Sequence, residues 1–324
     1  MNPSQQAIAR AFVIMWISFA ATQAQETTPH IGYVYPAGGQ LGTTFRVTVG
    51  GKYLDDIRHV YISGTGVEGM FIEKVEPLTS AEVGALRKRL TQLAKGEQNA
   101  KDRVEIARIE RKLAQYLGET TRRRSQPALG EAMTLEVAIA EDAREGQREL
   151  SVESSRGLSN PIRIYVGQLP EYREQEPGVD LDASDFPTPL RFPPRVTTEI
   201  TFPAGINGQL VPRQPDYVHW QARRFTPGDA DRYRFQARKG QRLVAVVRAR
   251  ELIPYLADAV PGWFQATLIL DGPPGNELAY HADYRFHPDP VLYFEVPEDG
   301  QYVIEIKDAI YRGRPDFVYR ISIG

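Results

Sequence analysis

The sequence predicts an all-β chain of two β-sandwich domains, Ig-like then jelly-roll-like, with a helical hairpin inserted in the first. Three observations predict it. Short segments of alternating apolar and polar residues recur along the chain, separated by turns that draw on 27 Gly and 24 Pro residues. Aromatic residues are plentiful, with 16 Tyr and 13 Phe, which suits pleated and half-buried surfaces. Helical periodicity is concentrated in one stretch, between residues 79 and 118. At 324 residues the chain is long enough for two domains, each with its own core.

The first strand is expected over 30–36, followed by a turn at 37–42 and a second, cleanly alternating strand over 43–49. Further strands are expected over 59–63 and 70–75, the latter closed by Pro77. There the period changes. Thr79 with Glu82 three residues on makes a capping box, and Val83, Leu86, Leu90 and Leu93 follow at spacings of three and four. Gly96 breaks that stripe, and a second runs through Ile106, Ile109, Leu113 and Leu117. Two such stripes on a short joint predict an antiparallel helical hairpin over 80–118, packed stripe to stripe. Strands resume over 133–139, 146–152 and 162–167, with a tight turn at 155–161, which closes a domain spanning 30–167.

Residues 168–194 are expected to be a linker. Glu171, Glu174, Glu176, Asp180, Asp182 and Asp185 make it acidic, and its prolines keep it extended, so that the domains could move independently. The second domain, 195–324, reads as strands over 197–202, 206–210, 232–237, 243–249, 266–270, 291–296, 300–306 and 317–323. Residues 249–259 leave room for one helical turn.

The N-terminus bears on compartment. Arg10 precedes an apolar run over 11–21, and Thr22-Gln23-Ala24 gives a cleavage context before Gln25, so residues 1–24 read as a secretory signal peptide. The run is short for a membrane span; an uncleaved anchor is the alternative. With no second apolar run of spanning length, no transmembrane segment is expected in the mature chain. The expected location is periplasmic, cell-surface or secreted. A formal net charge of -2 gives no general pull toward nucleic acid, and the lack of cysteine removes thiol nucleophiles, thiolate metal sites and redox motifs.

Catalytic motifs are missing as well. There is no G-x-S-x-G, S-x-x-K or HExxH. Gly64-Thr65-Gly66-Val67-Glu68-Gly69 satisfies G-x-G-x-x-G, but a strand-like Met70-Phe71-Ile72 follows where a dinucleotide site needs a helix, so a turn between strands is expected. His281, Asp283, His287 and Asp289 form the one local cluster of metal-ligand types, and a solvated loop is the plainer reading.

Two stretches carry family resemblances. Ile31-Gly32-Tyr33-Val34-Tyr35-Pro36-Ala37-Gly38-Gly39, the run from Gly42 to Gly51, and the closing Arg156-Gly157-Leu158-Ser159-Asn160-Pro161-Ile162 resemble an IPT/TIG Ig-like module; the helical hairpin departs from that pattern. Ile206-Asn207-Gly208-Gln209-Leu210, Asp229-Ala230-Asp231-Arg232-Tyr233-Arg234-Phe235, Lys239-Gly240-Gln241 and the run from Glu298 to Ile306 resemble the bacterial pre-peptidase C-terminal domain, over about 130 residues. The resemblance implies an accessory, adhesive or matrix-binding role, in the manner of exported planctomycete-type proteins. It also implies calcium as the one cofactor to consider, with Asp229, Asp231 and Asp283 as oxygen ligands, although their spacing is no EF-hand.

Two surfaces are candidates for ligand contact. The hairpin is rich in base, including Arg87, Lys88 and Arg111, and could meet an anionic envelope polymer, although interspersed acids suit a solvated face. Tyr255, Trp263 and Phe264, with Tyr280, Tyr284 and Phe286, could stack on sugar or peptide, against the plainer reading of core filling. The expectation is a non-catalytic binding or display protein whose partner is an extracellular protein or polysaccharide. The alternative is a non-catalytic arm of a longer secreted protease or other hydrolase.

Overall fold

This computed structural model describes residues 28–76, 78–93, 101–174 (apart from 103, 107, 110–111, 114–115 and 117–126), 196–211, 228–253, 264–273 and 275–324. The expected signal peptide, residues 175–194 of the expected linker, Arg111, Tyr255 and Trp263 lie outside them. In chain order the strands are β1 (His30–Tyr35), β2 (Gly38–Gln40), β3 (Thr44–Lys52), β4 (Ile57–Ile62), β5 (Val67–Lys74), β6 (Glu131–Ile139), β7 (Gly146–Ser154), β8 (Gly157–Leu158) and β9 (Ile162–Gly167). They continue with β10 (Glu171–Arg173), β11 (Thr197–Glu199), β12 (Ala204–Gln209), β13 (Asp231–Ala237), β14 (Arg242–Arg248), β15 (Ala266–Gly272), β16 (Asn276–His281), β17 (Val291–Glu295), β18 (Gly300–Asp308) and β19 (Val318–Ile323).

The fold is all-β. β6 illustrates why: Met133, Leu135, Val137 and Ile139 alternate with outward residues and are buried, the period a half-buried strand dictates. One sheet runs β1-β3-β6-β5 and a second β2-β9-β7-β4, with β8 paired to β7. Val47, Val49, Met133, Leu135 and Val137 from the first sheet and Leu150, Val152, Ile162 and Ile164 from the second share one core. The later strands form the sheets β10-β12-β19-β14-β17 and β11-β13-β18-β15-β16. Their shared core is more aromatic, with Tyr233, Phe235, Tyr302, Phe317 and Tyr319 almost wholly buried.

The chain closes back on its own beginning in the first half. Asn160 accepts the Ile31 N–H at 2.8 Å and donates to the Ile31 carbonyl at 2.9 Å, so one side-chain amide stands in for a strand partner at the start of β1. Gly64 and Gly66 take positive φ in the turn between β4 and β5, which is how the G-x-G-x-x-G string is used.

The helical stretch follows its pattern. Helix α1 (Ser80–Leu93) opens with a capping box in which the Thr79 N–H donates to Glu82 Oε2 at 2.7 Å and the Glu82 N–H donates to Thr79 Oγ1 at 3.2 Å. Its apolar stripe packs on Ile109, Leu113 and Tyr116, which lie among helical residues between 101 and 116, and the Arg89 guanidinium grips Glu105 across the pair at 2.8 and 2.9 Å. This small core is separate from that of the sandwich. No described helix is long and apolar enough to cross a membrane.

Four short strands differ from expectation, the first being β8, which pairs with the end of β7 inside the tight turn expected at 155–161. β2 was expected as a turn, but Gly38–Gln40 pairs in parallel with 165–167 of β9. β10 lies inside the expected linker and runs parallel to β12, so residues 171–173 belong to a sheet of the second half. β16 occupies part of the expected loop around His281, paired antiparallel to β15.

The two halves are joined by more than a linker. Leu252 and Val318 insert into the first core. The Tyr165 hydroxyl donates to Glu251 at 2.6 Å, Arg163 donates to the Glu251 carbonyl at 3.0 Å, and the Arg248 guanidinium lies 4.8 Å from the Tyr165 ring centroid. Arg320 reaches from β19 to Glu171 and Asn207.

Candidate functional site

The chain between β16 and β17 folds into a miniature hairpin. Tyr284 and His287 exchange backbone N–H···O bonds, both at 2.9 Å, leaving Arg285 and Phe286 as a two-residue turn. Both have positive φ, +50° and +68°. A tight hairpin of this hand requires two consecutive left-handed residues, which Asn-Gly ordinarily supplies. An arginine and a phenylalanine in that conformation cost on the order of 1 kcal/mol each. The strained turn displays its aromatic ring completely: Phe286 has 106% relative exposure. Tyr284 is also exposed, with the Arg285 guanidinium 5.2 Å from its ring centroid. Tyr280, in register with Ile269 across β16 and β15, adds a further exposed ring.

The base of this tip is fixed. Asp289, buried two residues past the hairpin, accepts the N–H groups of Ala249, Arg250 and Glu251 at 3.0, 2.7 and 2.9 Å. Burial pushes its carboxyl above the ordinary range, and these three donors oppose the shift. The 3₁₀ turn that it caps, Arg250–Leu252, sends Leu252 into the first core. The displayed tip is thereby tied to the junction between the halves.

A second loop is built on the same plan. Asp308 is fully buried and accepts from the backbone of Gln265 at 3.1 Å, the backbone of Arg312 at 3.0 Å, and the Arg312 guanidinium at 2.8 and 2.9 Å. Burial alone would raise its carboxyl, but the Arg312 guanidinium and the backbone donors outweigh that and hold it below the ordinary carboxylate value. The loop so fastened exposes Ile310 and Tyr311, the latter with positive φ and with Lys307 Nζ 5.2 Å from its ring centroid.

The residues singled out from sequence divide sharply. Phe264 is no ligand surface: it is 3% exposed and stacked on Phe317 at 5.3 Å in the second core, because an aromatic just before a central strand gains most by facing inward. Asp229, Asp231 and Asp283 do not assemble, and no group of three or more His, Cys, Asp or Glu among the described residues is gathered to hold a metal ion. Asp231 is instead turned to the buried Tyr319 hydroxyl, 2.6 Å away, while Asp283 sits exposed in the loop after β16. Of the hairpin bases, Arg87 and Lys88 are both exposed on α1. The anchors Asp289 and Asp308 have no signature of their own in the sequence, since the N–H groups that they gather come largely from distant segments.

No family model matches the chain, and no curated protein matches it. Among solved structures, the pre-peptidase C-terminal domain of a collagenase from Bacillus anthracis is similar at 15% identity, covering 40% of this chain and 97% of that one, with a TM-score of 0.27. PliG from Aeromonas hydrophila, a periplasmic inhibitor of g-type lysozyme, is similar at 16% identity over 40% of this chain and 96% of its own, with a TM-score of 0.23. The mixed-linkage glucan locus protein SGBP-B of Bacteroides ovatus is similar at 8% identity over 84% of this chain and 72% of its own, with a TM-score of 0.20.

Proposed function

We propose that this chain is an exported, non-catalytic binding protein that meets an extracellular polymer through the Tyr284–His287 hairpin. The observation that carries the reading is Phe286: a wholly exposed aromatic ring on a turn whose backbone conformation disfavours it. A ring in water at the cost of backbone strain gives nothing to the fold; it gains only when a partner covers it. Asp289 supports the reading, because a tip fastened at its base loses little conformational entropy on contact. Export is supported by the signal-like character of residues 1–24.

The test is co-sedimentation of the chain with peptidoglycan sacculi, cellulose and fibrillar collagen. The wild type should be retained on at least one, and Phe286→Ser should weaken that retention about tenfold, equivalent to about 1.4 kcal/mol, without loss of fold. Equal retention of Phe286→Ser, or no retention on any polymer, would overturn the reading. Sequencing the N-terminus of the envelope or culture-fluid form tests export: a start at Gln25 is expected, and a cytosolic chain retaining Met1 would refute it.

A further inference from the structure

The loop that Asp308 fastens leaves the same end of the same sheet as the Phe286 hairpin. β16 and β18 both run antiparallel to β15, so they run parallel to each other and end on the same side. Leu268 of β15 is paired with His281 on one side and with Ile306 on the other. Three residues after His281 the chain enters the Tyr284–His287 hairpin, and two residues after Ile306 it reaches Asp308. The two loops therefore start side by side, two strand spacings or about 10 Å apart at their roots.

They also present the same chemistry. Each displays an aromatic ring from a residue with positive φ, Phe286 at +68° and Tyr311 at +60°. Each sets a cation beside a tyrosine, Arg285 at 5.2 Å from the Tyr284 ring centroid and Lys307 Nζ at 5.2 Å from that of Tyr311. Ile310 and Tyr311 are 65% and 53% exposed with both halves of the chain in place. The second loop is held as firmly as the first. The Ala309 N–H donates to the Gln265 carbonyl at 2.9 Å, the Gly228 N–H donates to the Tyr311 carbonyl at 2.8 Å, and a Cβ on Gly228 would fall 2.1 Å from the Arg312 carbonyl oxygen. An exposed ring on a strained, held loop gives nothing to the fold by itself.

What the loops offer sets what they can hold. Tyr284 and His287 spend their backbone groups on each other, and Tyr311 donates its N–H to the Asp308 carbonyl at 2.9 Å while Gly228 takes its carbonyl. These residues therefore hold out no ladder for a peptide strand. Charge is balanced, since Asp283 is exposed one residue before Tyr284 and Lys307 lies 3.5 Å from Glu305, so a polyanion meets no net positive surface. What remains, twice over, is a flat ring with a hydrogen-bond donor beside it. A pyranose is complementary to that, its C–H face on the ring and its hydroxyls accepting from Arg285 or Lys307.

We propose that the 308–312 loop is a second contact site and that, with the Tyr284–His287 hairpin, it holds one uncharged polysaccharide chain at two points. This rests on the reading of the hairpin as a polymer contact, and adds to it the second loop and the class of polymer. Two points on one chain make the second contact intramolecular, so a long chain is held far more tightly than a short oligosaccharide.

The test measures retention of the full chain on cellulose, chitin and mannan, with polygalacturonate gel and fibrillar collagen alongside. Retention on at least one uncharged polysaccharide is expected, unchanged between about 0.05 and about 0.5 M salt because no screened charge holds it. Ile310→Ser with Tyr311→Asn removes the second apolar surface, and asparagine tolerates the φ of +60°, so the fold should stay. Retention should then fall about tenfold, the scale of losing a central contact residue. If the double variant fails to fold, Tyr311→Asn alone gives the answer. The tetrasaccharide of the retained polymer should compete weakly against the wild type; competition as strong as the polymer's own would overturn two-point holding. If Phe286→Ser weakens retention while the folded loop variant binds like the wild type, the second site is refuted and the hairpin reading stands. Retention on polygalacturonate or collagen alone would refute the class of polymer and leave the hairpin in place. Retention that Phe286→Ser does not weaken would overturn the hairpin reading and the proposal together.

Discussion

The Arg320 guanidinium donates to both carboxylate oxygens of Glu171, at 2.8 and 2.5 Å, although the two residues are 149 positions apart. Arg320 also donates to Asn207 at 3.2 Å, and its side chain is only 4% exposed. One cation on the last strand therefore pins β10, the segment that leaves the first half, onto the sheet of the second. Removing one partner of such a pair strands a buried charge. Arg320→Leu should cost about 3 kcal/mol in urea unfolding. The double change with Glu171→Leu should recover part of that loss, and a double variant as unstable as the single one would contradict this account.

The tip trades stability for display. Replacing Arg285 and Phe286 together by Asn and Gly supplies the pair that this turn favours, and should raise stability by about 1 kcal/mol while abolishing polymer retention. A variant less stable than wild type would show that the turn is not strained.

Asp308 makes stability sensitive to acid. Its carboxyl is held below the ordinary value in the folded chain, so its stabilising contribution is present above the unfolded value and lost as pH falls through the folded one. Asp308→Asn should cost about 2 kcal/mol at neutral pH. It should also flatten the fall in stability below the ordinary aspartate value of about 4; an unchanged acid limb would exclude Asp308 as a source of that fall.

The helical hairpin should melt by itself. Leu113 is 1% exposed in a core that the sandwich does not share. Leu113→Ala removes about 2 to 4 kcal/mol of packing, more than so small a cluster can lose. Helical circular dichroism should fall while the main unfolding transition stays in place. A matching drop in the main transition would mean that the hairpin and sandwich fold as one unit.

Much of this was legible in the residues themselves. Strands such as β6 and β7 declare themselves because a sheet that is buried on one face imposes a period of two, and α1 does so through its capping box and three-four stripe. β2, β10 and β16 were not legible. Gly38-Gly39 has the composition of a turn and becomes a strand only because β9 offers it a ladder from over a hundred residues away. β10 is three residues long, and β16 is an exposed edge, so neither carries a burial period to read.

The candidate site divides along the same line. The sequence named Phe286, Tyr284 and Tyr280 as part of an aromatic-rich region but gave no reason to separate them from Phe264, because composition is the same whether a ring fills a core or faces water. By itself the sequence determined what depends on neighbours in the chain: fold class, helix start, turn glycines, and the exclusion of thiol chemistry. Tertiary structure decided what depends on distant partners. It sent Leu252 and Val318 from the second half into the first core, turned Asp231 inward instead of toward a metal, and gave Asp289 and Asp308 the N–H groups that fasten two exposed loops. Burial and hydrogen bonding are properties of a place in space, and only the folded chain assigns those places.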